Sequence, residues 1–326
     1  MKYSSNHQSA RLATMMSQGY KKISIVSFEH KIFKTMKKAL TLSILITLLS
    51  VTSFAQEIYF RAGAGYGLPI GTTSFGDKYL RTQINATSTN TYSDKNVTGS
   101  YGAGPDFNFS VGYKFNPNII FDLGFQYLMS NKYETYNNYT YINTGSTELD
   151  NNIATTSAKA FLINPSIIFS PGFGKGAPYV RFGIIAGSPT ITKNESSFYN
   201  MDGTSASERT WLYKKGLALG YQSAIGMNWK ITEKLDIFTE VDFVSMTFYP
   251  GEADMTKYKY SNDGINWTDG LPNQSVNQKQ IVFKNSIDPN ALYDSTKPTT
   301  ALKQSTPFSS LSLQAGIRLS IWKLTK

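Results

Sequence analysis

From Tyr101 to Phe115 the odd positions are apolar or aromatic: Tyr101, Ala103, Pro105, Phe107, Phe109, Val111, Tyr113 and Phe115. The even positions are glycine or polar. A period of two held this long predicts a β-strand with one apolar and one polar face, longer than most strands of soluble domains. The same alternation predicts seven further strands, over Ile58–Leu68, Ile119–Met129, Phe161–Phe169, Val180–Ala186, Trp211–Trp229, Leu235–Phe243 and Leu311–Ile321.

The connections between these eight strands alternate in length. Three are tight, at Asn116-Pro117-Asn118, Pro171-Gly172-Phe173-Gly174 and Thr232-Glu233-Lys234, with the Pro, Gly and Asn chemistry of turns. Four are long, over Gly71–Gly99, Asn131–Ala154, Ser188–Thr210 and Pro250–Thr306. An up-and-down barrel with this rhythm carries all its short turns at one end, with both chain termini, and all its long loops at the other.

Alternation alone does not say which face points outward, because a soluble ligand-carrying barrel has the same period with its apolar face inside. Here the polar face is also the glycine face, with Gly63, Gly65, Gly102, Gly104, Gly112, Gly124, Gly183, Gly220, Gly226 and Gly316. Small residues suit a crowded lumen and have no purpose on a solvated exterior. Tyr66, Tyr101, Tyr113, Trp211 and Trp229 cluster near the ends of the apolar face, where aromatic girdles of a lipid boundary are expected. The expectation is an eight-stranded antiparallel transmembrane β-barrel, all-β, over residues 56–326.

Its N-terminus reads as an address. Met36-Lys37-Lys38 opens a short basic region, Ala39 to Ser50 is almost wholly apolar, and Ser53-Phe54-Ala55 offers small residues where a signal peptidase reads. Residues 36–55 are therefore expected to be a signal peptide, and residues 1–35 a mis-assigned start or a long leader. The chain's formal charge of +10 shrinks accordingly. Eight of the 32 basic side chains and one of the 22 acids lie in residues 1–55, leaving 24 bases against 21 acids, or +3. With no basic stripe left in the mature chain, nucleic acid is not an expected partner.

The mature chain also lacks Cys and His, since His7 and His30 lie upstream. Thiol or imidazole chemistry, disulfides and His-based metal sites are then unavailable. The chain is expected not to be an enzyme, and no cofactor or metal is assigned to it.

These features together resemble the small outer-membrane barrel family of OmpA-like and OmpX-like proteins of Gram-negative bacteria. The resemblance rests on the signal segment, the eight alternating strands, the three tight turns, the four long loops and the closing strand Leu311–Ile321. It implies a cell outer membrane location, periplasmic termini and a monomer in contact with outer-membrane lipid. Two departures stand beside it. No peptidoglycan-binding segment follows the barrel pattern, so an anchoring role is not expected, and Trp322, on the lumen parity, is followed by Lys323 to Lys326 where the family has a terminal aromatic.

Several local patterns fall to ordinary structure. Gly63-Ala64-Gly65-Tyr66-Gly67 lies within a strand and opens no helix, unlike a phosphate loop. Asn85, Asn96, Asn138, Asn194 and Asn266 begin Asn-x-Ser/Thr triplets, as polar loops do by chance. Asn262-Asp263-Gly264 and Asp269-Gly270 match no calcium-loop spacing and read as turns. The long loops are rich in Asn, Thr, Ser and Tyr, which suits recognition of a host, glycan or phage ligand, and the last one balances six acids with six bases.

One polar constellation remains. Arg61, Asp122, Arg181, Glu240, Asp242 and Arg318 all fall on the polar face at comparable depths, and are expected to form an ionic cluster closing the lumen. Function on this reading is surface recognition, adhesion or envelope integrity. The alternatives are a narrow pore for small solutes and an accessory subunit of a secretion or uptake complex.

Overall fold

The structure is a computed structural model that describes residues 57–323 apart from 88, 117, 172–175, 201–203, 288–291 and 293. The expected leader 1–35, the signal peptide 36–55 and most of the turn at Pro171-Gly172-Phe173-Gly174 lie outside the described residues. In chain order the first strands are β1 (Glu57–Pro69), β2 (Thr73–Ile84), β3 (Thr89–Gly99), β4 (Gly104–Asn116), β5 (Ile119–Met129), β6 (Tyr133–Asn143) and β7 (Ser146–Phe169). Next come β8 (Gly176–Gly187), β9 (Thr190–Tyr199), β10 (Ser205–Lys214), β11 (Ala218–Lys230) and β12 (Leu235–Phe248). The last are β13 (Glu252–Ser261), β14 (Thr268–Asp269), β15 (Gln280–Lys284), β16 (Thr299–Leu302), β17 (Thr306–Pro307) and β18 (Ser310–Lys323).

Eighteen strands are described, not the eight expected. The antiparallel pairings β1–β4, β4–β5, β5–β7, β7–β8, β8–β11, β11–β12, β12–β18 and β18–β1 close a ring. These are the strands that carry the alternating pattern. Closure leaves no free edge, and the ladder runs around the whole ring with one interruption at Asn164-Pro165 between β7 and β8.

The other strands occupy the segments expected to be long polar loops. They pair in the order β3–β2–β6–β7–β9–β10–β13–β15–β16, a second sheet that stands on the ring as a crown. β7 belongs to both. Its residues Ser146–Thr156 pair with β6 in the crown, and Lys159–Phe169 pair with β5 in the ring. Neither face of these strands is apolar, so no hydrophobic period marks them as strands. Their Thr and Tyr content nonetheless favours extended backbone.

Two strand boundaries also move. The expected strand Trp211–Trp229 is two strands, because the chain turns at Lys215, whose φ of +55° no strand adopts. Trp211 therefore sits on crown strand β10, away from any girdle. The expected strand from Tyr101 begins only at Gly104, and Tyr101 is 5% exposed inside the molecule, not at a lipid boundary. Tyr101-Gly102-Ala103 tucks inward because the ring end is filled with aromatics, Tyr101 meeting Phe75 edge-on at 4.9 Å and lying 5.5 Å from Phe308.

Burial fixes the direction of the two faces. Along β5, Ile119, Phe121, Leu123 and Tyr127 are exposed, while Ile120, Asp122, Gln126 and Leu128 are buried. The same alternation runs around the ring, with Phe109 at 45%, Leu313 at 68% and Ile225 at 71% exposure on the outside. The exterior is thus an apolar belt, and the interior combines polar and glycine positions with buried apolar layers at its two ends. Glycine on the inner face makes room for large side chains: a Cβ at Gly112 would lie 1.9 Å from the Tyr59 ring, and one at Gly63 or Gly316 would lie 2.7 Å from Phe238.

Candidate functional site

The interior of the ring is filled in layers. At the end of the ring where β1 begins, Tyr59, Ile120, Ile168 and Tyr179 form a small buried apolar cluster. At the opposite end a larger one gathers Leu128, Ala158, Ala160, Leu162, Ile185, Ala218, Val244, Met246 and Phe248, all on the inward parity of their strands. Tyr101 and Phe308 cap it from the connecting segments. Between these two layers lies the charge.

Glu240 is the hub of that middle layer. Its Oε2 lies 2.7 Å from Arg61 Nη2 and its Oε1 2.6 Å from Arg181 Nη2, with Glu240 only 2% exposed. Tyr179 bridges the same groups, accepting from Arg61 Nη2 at 2.8 Å and donating to Glu240 Oε2 at 2.8 Å. The Arg61 guanidinium also lies 3.6 Å from the centre of the Phe238 ring, a cation–π contact in a site with little water. Two guanidiniums can share one narrow layer because a single carboxylate takes a hydrogen bond from each.

Asp242 extends the network. Arg181 Nη2 stands 3.5 Å from its Oδ1, while its Oδ2 accepts from Gln222 Nε2 at 2.6 Å and Gln314 Nε2 at 3.3 Å. Gln314 also donates to Asp106 Oδ1 at 3.1 Å, and Ser312 Oγ donates to Asp106 Oδ2 at 2.9 Å. Asn108 and Asn164 add bonds of 2.7 Å to Gln314 Oε1 and 2.6 Å to Gln222 Oε1. The result is a hydrogen-bonded web across the ring.

The six expected residues divide as follows. Arg61, Arg181, Glu240 and Asp242 come together in this layer. Asp122 is fully buried beside it but forms no ion pair among the described residues. Arg318 stands apart: it faces Arg61 directly in the β1–β18 register, yet turns away to pair with Asp236, which Nε approaches at 2.7 Å. Like charges on paired residues diverge, and Asp236 is the register partner of Arg318 on β12.

Sequence reasoning passed over Tyr179, Phe238, Asp236, Asp106, Gln222 and Gln314. Tyr179 lies one residue ahead of the expected strand Val180–Ala186, on the parity of Arg181. Phe238 is an apolar residue on the polar parity of Asp236, Glu240 and Asp242, so it reads as an exception to the pattern when it is the filler of two glycine positions. The remaining four lie on the polar face and carried no sign of which neighbour they would meet.

A second polar region lies in the crown. A cavity of about 610 Å³ opens on one face of β2, β6, β7, β9 and β10. A smaller one of about 240 Å³ lies by Phe75, Tyr101, Ile191 and Tyr213, at the apolar layer. In the last long connection Asp263 accepts from the backbone N–H groups of Ile265 (2.8 Å) and Asn266 (2.7 Å) and from Ser261 Oγ (2.7 Å). Its oxygens are engaged in their own turn.

No family model matches the chain and no curated protein matches it in sequence. Among solved structures it is similar to OprG, an outer membrane protein from Pseudomonas aeruginosa, at 9% identity with a TM-score of 0.37, over 82% of this chain and 96% of that one. It is similar to a Pseudomonas aeruginosa FadL homologue at 7% identity with a TM-score of 0.17, over 81% of this chain and 89% of that one. Neither likeness names a family for it.

Proposed function

We propose that the chain is a non-enzymatic outer-membrane β-barrel of the OmpA-like and OmpX-like kind, which crosses the Gram-negative outer membrane with the eight ring strands and presents the crown outside the cell. On this reading both termini are periplasmic, residues 36–55 are removed as a signal peptide, and the work is surface recognition, adhesion or envelope integrity. The observation that carries it is the pairing of an apolar belt outside with a lumen closed inside. A contiguous exposed apolar surface of this extent has no place in water. Behind it, the Glu240 network and the apolar layer around Phe248 fill the inner face of the ring, which supports a closed barrel over a pore, since a pore needs an unbroken wet path. The folded crown supports recognition over passage, because ordering four long connections costs conformational entropy that idle linkers would not need to overcome.

The test combines three measurements on one preparation. The unmutated protein should stay in the outer-membrane fraction after carbonate washing and migrate faster unboiled than boiled. In planar bilayers it should show little steady conductance; large, stable conductance would promote the narrow-pore reading. Trypsin added to intact cells should cut beside Lys297, which is exposed in the crown, and spare the Thr232–Lys234 turn. A partner recovered in stoichiometric amount from native membranes would select the accessory-subunit reading.

A further inference from the structure

The inner surface of the crown is built in register. β7 runs unbroken from ring to crown, and its inward parity passes from Asn164 and Leu162 through Ala160 and Ala158 to Thr156, Ala154 and Asn152. The face of the crown that carries Asn152 is therefore the continuation of the lumen wall, above the apolar layer. Along it, directly paired residues form two rows across five strands. One row is Tyr79, Asn137, Asn152, Ser197 and Ser207; the other is Thr135, Ala154, Glu195 and Arg209, extended on β2 by Asp77, one residue before the β2–β6 pairing begins at Lys78. Both rows line the 610 Å³ cavity.

The chemistry of these rows is narrow. The first is uncharged, with a Ser197–Ser207 hydroxyl contact at 3.0 Å and Asn152 held by Asp150 at 2.8 Å. In the second, Glu195 is neutralised by Lys193 at 2.7 Å, and Arg209 lies over the Tyr258 ring, 5.3 Å from its centre. Asp77 and Arg209 stand at opposite ends, so the cup has no net charge to draw an ion. Ala154, the smallest side chain of its row, leaves a depression between Thr135 and Glu195. Its walls set short polar donors and acceptors beside an aromatic ring, Tyr79, with polar and apolar surface interleaved, as the hydroxyl edge and the C–H face of a sugar require.

We infer that this cup binds an uncharged, polyhydroxylated ligand, a neutral oligosaccharide. The volume lies within the range of small-molecule sites. Paired Asn, Ser and Thr groups match many closely spaced hydroxyls, and the Tyr79 ring offers a flat surface for a sugar face. A peptide would instead seek the backbone of a free strand edge, which this face does not offer. The inference rests on the recognition reading above and narrows it to a ligand class.

The test uses the full chain folded in detergent micelles and calorimetric titration with free maltotriose, free chitotriose and the neutral polysaccharide cut from the cell's own lipopolysaccharide. Binding of at least one with Kd below about 1 mM is expected, and which arm binds separates a foreign sugar from the cell's own envelope. N137A combined with N152A should weaken that binding about tenfold or more, while S93A on β3, which does not line the cavity, should leave it unchanged. If the double variant fails the unboiled-migration check for folding, Ala154→Trp, which fills the depression and removes no polar group, takes its place. Absence of binding by every neutral sugar, or binding indifferent to these changes, overturns the inference. Cells that adhere to protein-coated surfaces and lose adhesion with Ala154→Trp, in the absence of sugar binding, would sink the ligand class and keep the recognition reading. Cells indifferent in both assays would sink both.

Discussion

Arg61 on β1 and Glu240 on β12 meet at 2.7 Å across the lumen, although 178 residues separate them and β18 lies between their strands. Because Arg181 leans on the same carboxylate, removing it strands the buried Arg61 and leaves Arg181 only the longer contact to Asp242. Breaking a buried ion pair from one side costs about 3–5 kcal/mol. Glu240→Ala should therefore lower the denaturant midpoint of the folded, fast-migrating form by that amount. Glu240→Gln, which keeps one acceptor oxygen, should cost less. An unchanged midpoint for Glu240→Ala would mean that the charges are hydrated and not a closed network.

Conductance should respond differently. The apolar layer of Leu162, Met246, Phe248 and Phe308 packs apart from the charges, and on the closed-barrel reading it blocks the lumen without them. Glu240→Ala alone should therefore leave the protein electrically silent. Phe248→Ala with Phe308→Ala removes two fully buried rings that meet edge-on at 5.9 Å. Large-to-small changes of this kind cost about 3–5 kcal/mol each when isolated, with less than additive loss for rings in contact. Bilayer recordings of this double variant should show a steady leak, and a silent trace would place the seal elsewhere.

The exterior makes a simpler demand. Phe109→Arg or Leu313→Arg puts a charge on the apolar belt, and near the middle of a bilayer this costs about 2–4 kcal/mol. The loss should be visible as lower folding stability in vesicles and should shrink for outward positions near the ends of the strands, such as Tyr66. Equal tolerance at all depths would mean that the belt does not face lipid.

How far the sequence led can be read from individual residues. The outward parity of Phe107, Phe109, Leu311 and Leu313 is legible because burial on one side only imposes a strict period. Arg61, Arg181 and Glu240 were legible as a group because all three are charged residues on the polar face at similar depth. Which carboxylate each guanidinium takes depends on side-chain reach across a closed ring. Register puts Arg318 opposite Arg61, and only the presence of Asp236 on the next strand decides which way it turns. The crown was hidden for a different reason. Tyr133 to Tyr141 carries polar and aromatic residues on both sides, so it has extended propensity without hydrophobic period, and its partners β2 and β7 are set by non-local pairing. Phe238 is the clearest miss, since its place on the polar face makes sense only once Gly63 and Gly316 are known to lie beneath it.

The same glycine logic yields the last prediction. The Tyr59 ring lies directly over Gly112, its register partner on β4, so closely that a methyl group there would overlap the ring. Tyr59 is 1% exposed and sits below Arg318, whose guanidinium is 5.0 Å from the ring centre, so it has no free direction in which to retreat. Gly112→Ala should then destabilise the folded form by about 1–3 kcal/mol, as overpacking does. Tyr59→Ala should also destabilise it, through the cavity left behind. Combining them places the new methyl in the space the ring vacated, so the double variant should be more stable than the sum of the two losses allows, by about 0.5–3 kcal/mol of coupling. The check is a double-mutant cycle on denaturant midpoints of the micelle-folded protein. Strict additivity would mean that Tyr59 moves freely and that Gly112 is not there to receive it.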